Sequence, residues 1–236
     1  MTTAHAHPNI ALVKYWGKQE KPGNLPATPN LSITLAGLTT VTHVSDAASD
    51  TFVLNNKATS DPKLVRWLKT LRGTFDVPPL QIESGNDFPT SAGLASSASG
   101  FAALITAINA HCDLGLNQEM CSEWARVGSA SAARSIFGGF VALVPPQWQA
   151  IPMAKPDHWP LEVVVAVTSN EPKSVNSGEG MERSRLTSPF YNAWVRDATT
   201  DFAAASQAIE RRDFATLAAA AERNRWHTHP IMLTSQ

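Results

Sequence analysis

The sequence predicts a mixed α+β protein, and two patterns support this class. Short segments with alternating apolar and polar residues occur mainly in the first half of the chain, which is typical of half-buried strands. Segments with apolar residues at positions i, i+3, i+4 and i+7 lie between and after them, and this spacing predicts amphipathic helices. No internal repeat or low-complexity linker interrupts the order, which runs strands, helix, strand, helices, strand, helices.

The predicted strands follow from alternation or from β-branched residues. Leu31–Leu35 alternates with period two, and Leu161–Thr168 is a β-branched run that we expect to be a strand buried on both faces. The full set of predicted strands comprises residues 9–16, 31–35, 39–44, 51–54, 80–83, 138–143 and 161–168.

Asp61–Leu71 is the clearest helix prediction, because its apolar residues recur on one face from Leu64 onward. Asn117 is predicted to cap a later helix that runs to about Arg126. Three further helices are predicted. One has an apolar stripe at residues 101–108, and the other two cover residues 188–210 and 213–228.

Composition limits the classes of partner. The 236 residues carry a net charge of −1, which gives no reason to expect nucleic acid or an anionic membrane as partner. Cys112 and Cys121 have no Cys-x-x-Cys spacing, the N-terminus shows no signal-peptide pattern, and no apolar run is long enough to span a bilayer. We therefore expect a cytoplasmic protein. Prolines near residues 150–160 predict a division into domains 1–155 and 156–236.

The segment Asp87–Gly100 is the most informative part of the chain. Its small residues, with Gly93 and two adjacent hydroxyls at Ser96 and Ser97, precede an apolar helical run. Amide N–H groups of such a segment can converge on phosphate oxygens, and the following helix directs its positive end there. This pattern indicates a nucleotide-phosphate loop and an enzyme that uses ATP. The alternative is a capped, small-residue helix start, since no Lys lies within the segment.

A second cluster lies in Asn9–Lys18. Lys14 and Lys18 are four residues apart, so on a strand both would share one face and could flank a polyanion, with Tyr15 and Trp16 as walls of the same cleft. The alternative is a strand with ordinary solvent-facing lysines.

Two further clusters are candidates for ligand contact. In Gly128–Ser135, Ser129 and Ser131 offer hydroxyls, and Arg134 offers a planar fork suited to a carboxylate or phosphate; the alternative is a turn with one surface arginine. Lys173–Met181 is predicted to be a ligand-facing loop, or else a plain surface loop followed by a helix cap at Ser188.

These segments together resemble the diphosphomevalonate decarboxylases, a family of the GHMP kinase superfamily. The match runs in order over nearly the whole chain, and the Lys-Tyr-Trp-Gly-Lys sequence is distinctive for this branch. The segments that carry it are Asn9–Lys18, Phe88–Gly100, Gly128–Ser135 with Gly138–Gly139, and Glu179–Met181 with Thr187–Pro189. The resemblance implies the GHMP kinase fold, with an N-terminal half like the second domain of ribosomal protein S5 and an α+β C-terminal half.

The resemblance also implies an ATP- and Mg²⁺-dependent reaction and a likeness in site residues. The 3-hydroxyl of diphosphomevalonate is phosphorylated, and loss of that phosphate with carbon dioxide gives isopentenyl diphosphate. Lys14 is expected near the transferring phosphate, and Asn9 is expected to hold Arg134 in place. By the same resemblance, the residues that contact ATP are Gly93, Leu94, Ala95, Ser96, Ser97, Ala98 and Ser99, with Ser97 near the metal. Tyr15, Lys18, Ser129 and Ser188 are expected to hold the diphosphate end of the substrate, and Ser131 and Arg134 the carboxylate end, while Trp16 is expected to be a further substrate contact.

The family continues beyond the residue that matches Gln236, through an Asp-Ala-Gly-Pro-Asn motif whose Asp lies against the 3-hydroxyl. The sequence contains no such motif, so we interpret the chain as the N-terminal majority of a longer homodimeric protein and expect the 236 residues alone to be inactive. Two alternatives stay open: an enzyme of the same fold that acts on mevalonate or its monophosphate, and a catalytically incomplete binder of ATP or a diphosphate.

Overall fold

The structure, a computed structural model, describes residues 1–89, 96–166 and 175–236. By their contacts these residues form two units, each made of two chain segments. The first unit comprises Met1–Asn9 and Leu35–Ile136, and the second comprises Ile10–Thr34 and Phe137–Gln236. Each unit combines a sheet with helices, which confirms the predicted α+β class.

Strands predominate in the first half of the chain and helices in the second. In chain order, the strands are β1 (Thr2–Ala6), β2 (Asn9–Val13), β3 (Asn30–Thr34), β4 (Thr40–Asp46), β5 (Thr51–Leu54), β6 (Lys57–Ala58), β7 (Leu80–Asn86), β8 (Phe140–Leu143) and β9 (Ala150–Ala154). The helices are α1 (Pro62–Arg72), α2 (Ser96–His111), α3 (Gln118–Gly128), α4 (Ser177–Thr187), α5 (Tyr191–Arg211) and α6 (Phe214–Leu233), with a 3₁₀ helix at Ala130–Ile136.

The first unit is built on a sheet with the strand order β1-β4-β7-β5-β6. Strand β4 runs antiparallel to β1 and to β7, whereas β5 runs parallel to β7. Helix α2 packs against β1 and β4, and most of its side chains are buried because both of its faces meet other elements. The core includes Val44 and Ile82 from the sheet and Trp67 and Ile105 from the helices.

The second unit is built on a sheet with the strand order β2-β3-β8-β9, in which β3 pairs antiparallel with β8 and β8 with β9. Helices α5 and α6 pack against each other, and their apolar residues join those of the sheet in one core. Leu31 and Phe140 come from the strands, and Ile209 and Leu217 come from the helices. Trp16, in the loop that follows β2, packs in a separate cluster with Tyr191, Trp194 and Ile231.

Most helix predictions are confirmed, because local signals marked their ends. The Asp61 side chain caps α1 by accepting from the Lys63 N–H, and the Asn117 side chain caps α3 by accepting from the Met120 N–H. The long helices predicted at residues 188–210 and 213–228 correspond to α5 and α6.

Two strand predictions need correction. The strand predicted at residues 9–16 ends at Val13, since the Lys14 N–H donates to a side chain and not to a neighbouring strand. No strand forms in residues 161–166, where Val164 is 94% exposed and where Val163 and Val165 are also exposed. The expectation of a strand buried on both faces is therefore wrong for this segment; its last residues, 167–168, lie outside the described residues.

Several elements were not predicted. Strand β1, the short strand β6, the edge strand β9 and helix α4 belong to this group. The division into domains 1–155 and 156–236 stays a prediction. Among the described residues no helix is both long enough and apolar enough to cross a bilayer.

Candidate active site

Asn9 and Arg134 form a buried polar pair in the first unit. Arg134 lies in the 3₁₀ helix and is 1% exposed, while Asn9, at the start of β2, is 3% exposed. The Arg134 Nη2 donates to Asn9 Oδ1 at 3.2 Å. Asn9 Nδ2 in turn donates to the Ser131 carbonyl oxygen at 3.0 Å and lies 2.7 Å from the Ser135 hydroxyl. These contacts fix both the amide and the guanidinium, so the predicted neighbours Asn9 and Arg134 are indeed in contact.

A row of three serine hydroxyls lies in the same unit. The Ser97 and Ser129 hydroxyl oxygens are 3.4 Å apart, and the Ser129 and Ser131 hydroxyl oxygens are 3.3 Å apart. Ser129 follows α3, where its extended backbone ends the helix. Gly128, the last residue of α3, lies so close to the Phe101 ring of α2 that any side chain there would collide with it. The close approach of the two helices therefore brings Ser129 within reach of Ser97.

The start of α2 provides backbone donors. The first N–H groups of a helix have no partner within the helix, and the helix dipole makes this end favourable for an anion. Ser97 is exposed here and Ser96 is partly buried, so both hydroxyls can reach a ligand. Ala98 and Ser99 are fully buried, and the Ser99 hydroxyl lies 2.6 Å from that of Thr40. Their side chains face the protein, which leaves only their backbone N–H groups for a phosphate; Gly93, Leu94 and Ala95 lie outside the described residues.

A cavity of about 270 Å³ opens beside this helix start. Its walls come from the sheet, from α1 and from α2, and all of them belong to the first unit. The lining is mainly apolar and includes Phe52, Leu64 and Leu104, with Ser96 and Ser97 at one side. This cavity was not predicted, because its walls come from short segments that carry no shared motif.

In the second unit, Lys14 to Gly17 have no regular secondary structure. The prediction that Lys14 and Lys18 share a strand face is therefore wrong. The Lys14 N–H donates to the side chain of Asn224 in α6 at 2.8 Å. Gly17 has a φ of 129°, and a side chain there would collide with the hydroxyl of Tyr191. Glycine is required at this position, because other residues rarely adopt this φ and their Cβ would not fit beside Tyr191.

Trp16 is bound on two sides. Its indole N–H donates to the Ser184 hydroxyl at 3.0 Å, and its carbonyl oxygen accepts from the Trp194 indole N–H at 3.0 Å. Gly180 of α4 lies beside the Trp16 ring, and a Cβ there would be in van der Waals contact with the ring at 3.4 Å. Trp16 and its neighbour Tyr15 are both partly buried. Trp16 therefore contributes to the packing of the second unit.

Lys18 is a half-buried cation in the same segment. Its ammonium donates to the Asn24 side-chain oxygen at 2.7 Å. Burial lowers the pKa of Lys18 below its ordinary value, and the negative charge of Glu182 partly opposes this effect. An ammonium that has lost hydration gains more from a bound anion than an exposed one does. The position of Lys18 therefore suits a phosphate ligand.

Ser188 lies directly after α4 and not at the start of α5. Its hydroxyl lies 2.8 Å from that of Thr234, and the residue is 8% exposed. The helix cap predicted at this position is therefore wrong, because α5 begins at Tyr191 after the uncapped Phe190. The loop predicted at Lys173–Met181 is partly helix, since α4 begins at Ser177; residues 173–174 lie outside the described residues.

The structure thus groups the predicted residues within each unit. The first unit brings Asn9 to Arg134 and Ser97 to Ser129 and Ser131. The second unit holds Lys14, Tyr15, Trp16 and Lys18 in one segment that helices α4, α5 and α6 contact. In the described part of the chain, no cluster of three or more His, Cys, Asp or Glu side chains could hold a metal ion.

Comparison with known families gives two matches that follow one another along the chain. Residues 6–149 match the diphosphomevalonate decarboxylase-like N-terminal domain. Residues 163–236 match the mevalonate 5-diphosphate decarboxylase C-terminal domain.

Curated relatives that match most of this chain are named diphosphomevalonate decarboxylase. The diphosphomevalonate decarboxylase of Candida albicans is 37% identical over 96% of this chain and 70% of its own length. That of Debaryomyces hansenii is 35% identical over 99% of this chain and 68% of its own length. The Saccharomyces cerevisiae protein is 36% identical, and the match covers 60% of its length. The chain thus spans roughly two thirds of the relatives it matches.

Solved structures agree with the sequence matches. The mevalonate diphosphate decarboxylase of Staphylococcus aureus superposes with a TM-score of 0.87 at 35% identity, over 99% of this chain and 74% of that one. The enzyme of Enterococcus faecalis gives a TM-score of 0.84 at 34% identity, over 99% and 75%. The chain therefore has the GHMP kinase fold. It belongs to the diphosphomevalonate decarboxylase family.

Proposed function

We propose that the protein decarboxylates diphosphomevalonate to isopentenyl diphosphate with ATP and Mg²⁺, in the mevalonate pathway of isoprenoid biosynthesis. The family supports this reaction, and a similar structure contains MVAPP, AMPPCP and magnesium. The observation that carries the proposal is the buried Asn9–Arg134 pair with the serine hydroxyls of the same unit. A buried cation is costly unless it is paired and hydrogen-bonded, and a guanidinium oriented in this way is suited to pair with the carboxylate of a substrate.

The first unit supplies the nucleotide site in this proposal. We assign the apolar cavity to the base of ATP and the start of α2 to its phosphates, because Ser96 and Ser97 line one side of the cavity. Gly93, Leu94 and Ala95 belong to the same assignment by resemblance. Mg²⁺ prefers oxygen ligands and commonly takes most of them from phosphates and water. The exposed Ser97 hydroxyl fits such an ion, which offsets the phosphate charge when it is bound.

Arg134 and Ser131 are assigned to the carboxylate of the substrate. A guanidinium matches a carboxylate with two parallel hydrogen bonds, and Asn9 fixes its orientation. Holding the carboxylate in one orientation lets its loss follow directly when the phosphate leaves C3.

Lys18, with Tyr15, Ser129 and Ser188, is assigned to the diphosphate end, and Trp16 is assigned to the wall of the substrate cleft. Lys18 is the cation among them, and its partial burial favours an anionic ligand. Lys14 is assigned to the transferring phosphate, where a positive charge stabilises the charge that develops during transfer. A homodimer in the cytoplasm, with a small-molecule substrate and with neither nucleic acid nor a membrane as partner, is part of the same proposal.

The test is an assay of the full-length protein. The protein is incubated with ATP, Mg²⁺ and C1-labelled diphosphomevalonate, and labelled carbon dioxide and ADP are counted. We expect one carbon dioxide for each ADP, and no carbon dioxide from mevalonate or its monophosphate. ADP formation without carbon dioxide, or turnover of the less phosphorylated substrates alone, would overturn the proposal.

A further inference from the structure

The main chain at Lys14 is held by a side chain from a distant helix. Strand β2 ends at Val13, so the next N–H group is no longer part of the sheet. It donates instead to Asn224 Oδ1 at 2.8 Å, and Asn224 is fully buried in α6. The point at which the chain leaves the sheet is therefore fixed by one amide group.

The orientation of that amide is fixed by Asp201. Asn224 Nδ2 donates to Asp201 Oδ2 at 3.0 Å, and a carboxylate can only accept. The amide oxygen must therefore point away from Asp201, toward Lys14. Asp201 lies in α5 and is 1% exposed.

The buried carboxylate is itself balanced by a cation. Arg223 Nε donates to Asp201 Oδ1 at 2.6 Å, and this side chain is 47% exposed. His227 Nδ1 lies 3.9 Å from Asp201 Oδ2, which is beyond hydrogen-bond distance. A buried carboxylate with two donors is rigid, and the amide that it orients is rigid as well.

The main chain after Lys14 is fixed as well. Trp16 is bound through its carbonyl oxygen to Trp194 and through its indole N–H to Ser184. The backbone is thus held at both ends of a three-residue segment. The direction in which the Lys14 side chain leaves the main chain follows from these contacts.

We infer that Asp201 is a positioning residue: through the amide of Asn224 it fixes the main chain at Lys14 and so sets where the Lys14 ammonium reaches. This inference rests on the proposed role of Lys14 at the transferring phosphate. Asp201 does not touch the substrate in this arrangement, and it acts only through Asn224 and Lys14.

A double-mutant cycle in the full gene product tests the inference. Asp201→Asn replaces one of the two carboxylate oxygens, which only accept hydrogen bonds, by an NH₂ group, which donates. We expect kcat to fall at least 10-fold while the KM for ATP changes less than 2-fold. In a Lys14→Ala background the same change should alter kcat less than 2-fold, because the group being positioned is gone. Arg223→Gln, at a half-exposed residue, should give a smaller loss with the same dependence on Lys14.

Hydrogen exchange at the Lys14 amide provides a readout that needs no turnover. Asp201→Asn should accelerate that exchange at least 10-fold relative to the parent protein. Asp213→Ala is the matched control: it removes a carboxylate that caps α6, so it should lower the melting temperature and leave both kcat and Lys14 exchange unchanged.

Three results would overturn the inference: unchanged kcat in folded Asp201→Asn, an equal loss in both backgrounds, or unchanged Lys14 exchange. If Lys14→Ala leaves no measurable turnover, or if Asp201→Asn does not fold, hydrogen exchange at the Lys14 amide in Arg223→Gln is the deciding measurement. Faster exchange than in the parent protein would support the inference, and unchanged exchange would overturn it. An inactive parent protein would count against the proposed function alone, since the exchange measurement still decides whether Asp201 fixes the Lys14 main chain.

Discussion

The guanidinium of Arg134 is held by the amide oxygen of Asn9, a residue 125 positions earlier in the chain, at 3.2 Å. The amide cannot rotate without losing its contacts to the Ser131 carbonyl and the Ser135 hydroxyl. Both partners are almost completely buried. Asn9 therefore determines the position of a cation that water would otherwise solvate, and this makes it a sensitive point for both folding and activity.

Asn9→Ala should lower both stability and turnover. The change removes the hydrogen bonds that Asn9 makes to a buried guanidinium and to a buried carbonyl oxygen, which costs about 2–4 kcal/mol in the free energy of unfolding. Release of Arg134 should reduce kcat roughly 100-fold, as expected when a positioned group moves by about 1 Å. Urea unfolding and steady-state decarboxylation measure the two effects.

Asn109→Ala is the matched control for this change. Asn109, in helix α2 of the first unit, also makes two hydrogen bonds with its amide: it donates to the Leu116 carbonyl oxygen and accepts from the Leu116 N–H. It should lose stability and keep its kcat. A similar loss of kcat in both variants would mean that Asn9 acts through stability alone.

Lys18→Ala should discriminate between substrates by their phosphate content. Removal of one charged hydrogen bond costs about 1.5–3 kcal/mol, so the Kd for diphosphomevalonate should rise roughly 10- to 100-fold. The Kd for mevalonate, which has no phosphate, should change less than about 2-fold on the same reasoning. Calorimetry measures both constants, with the exposed Lys21→Ala in the same loop as control. Equal weakening for the two compounds would remove Lys18 from the diphosphate site.

The lowered pKa of Lys18 gives a pH dependence of defined sign. The unfolded state keeps its proton at a pH where the folded state has begun to lose it, so stability rises with pH between the lowered pKa and the ordinary value of 10.5. Lys18→Met lacks this ionisation. Unfolding measured from pH 8 to 10.5 should therefore show the parent protein gaining stability relative to Lys18→Met, and a relative loss would contradict the burial of the ammonium.

Local sequence signals predicted the helices well. They failed where contacts between residues far apart in the sequence determine the secondary structure. The caps at Asp61 and Asn117 are contacts within one helical turn, so the sequence contains all the information they need. Val163–Val165 have strand propensity, but they have no partner strand in the described part of the chain. Helix α4 was missed because of its glycines, although Asn176 caps it by accepting from the Glu179 N–H, and this cap could have revealed it.

The candidate site shows the same limit. Residue types and motif order pointed to Arg134, Ser129 and Lys18, and the family matches agree with the function they indicated. The sequence could not show that Asn224 binds the Lys14 main chain, because 210 positions separate them. The cavity beside α2 was also hidden, since its apolar lining resembles that of an ordinary core.

Gly100 offers a direct test of that cavity. It lies in α2, lines the cavity, and has open space where a side chain would begin. Gly100→Ala should therefore stabilise the protein by about 0.5–1 kcal/mol through helix propensity, with little effect on ATP affinity. Gly100→Leu should extend into the cavity and raise the Kd for Mg-ATP at least about 10-fold, because the base would have to displace the new side chain.

Calorimetry in the absence of diphosphomevalonate measures the Mg-ATP affinity of the two Gly100 variants. Thermal unfolding measures their stability. The Ala variant serves as the control for any disturbance of the helix start, since it changes the backbone propensity and adds only one carbon. Weakened ATP binding in both variants would place the effect in the helix start and not in the cavity. Unchanged ATP binding by folded Gly100→Leu would mean that the nucleotide base binds somewhere other than this cavity.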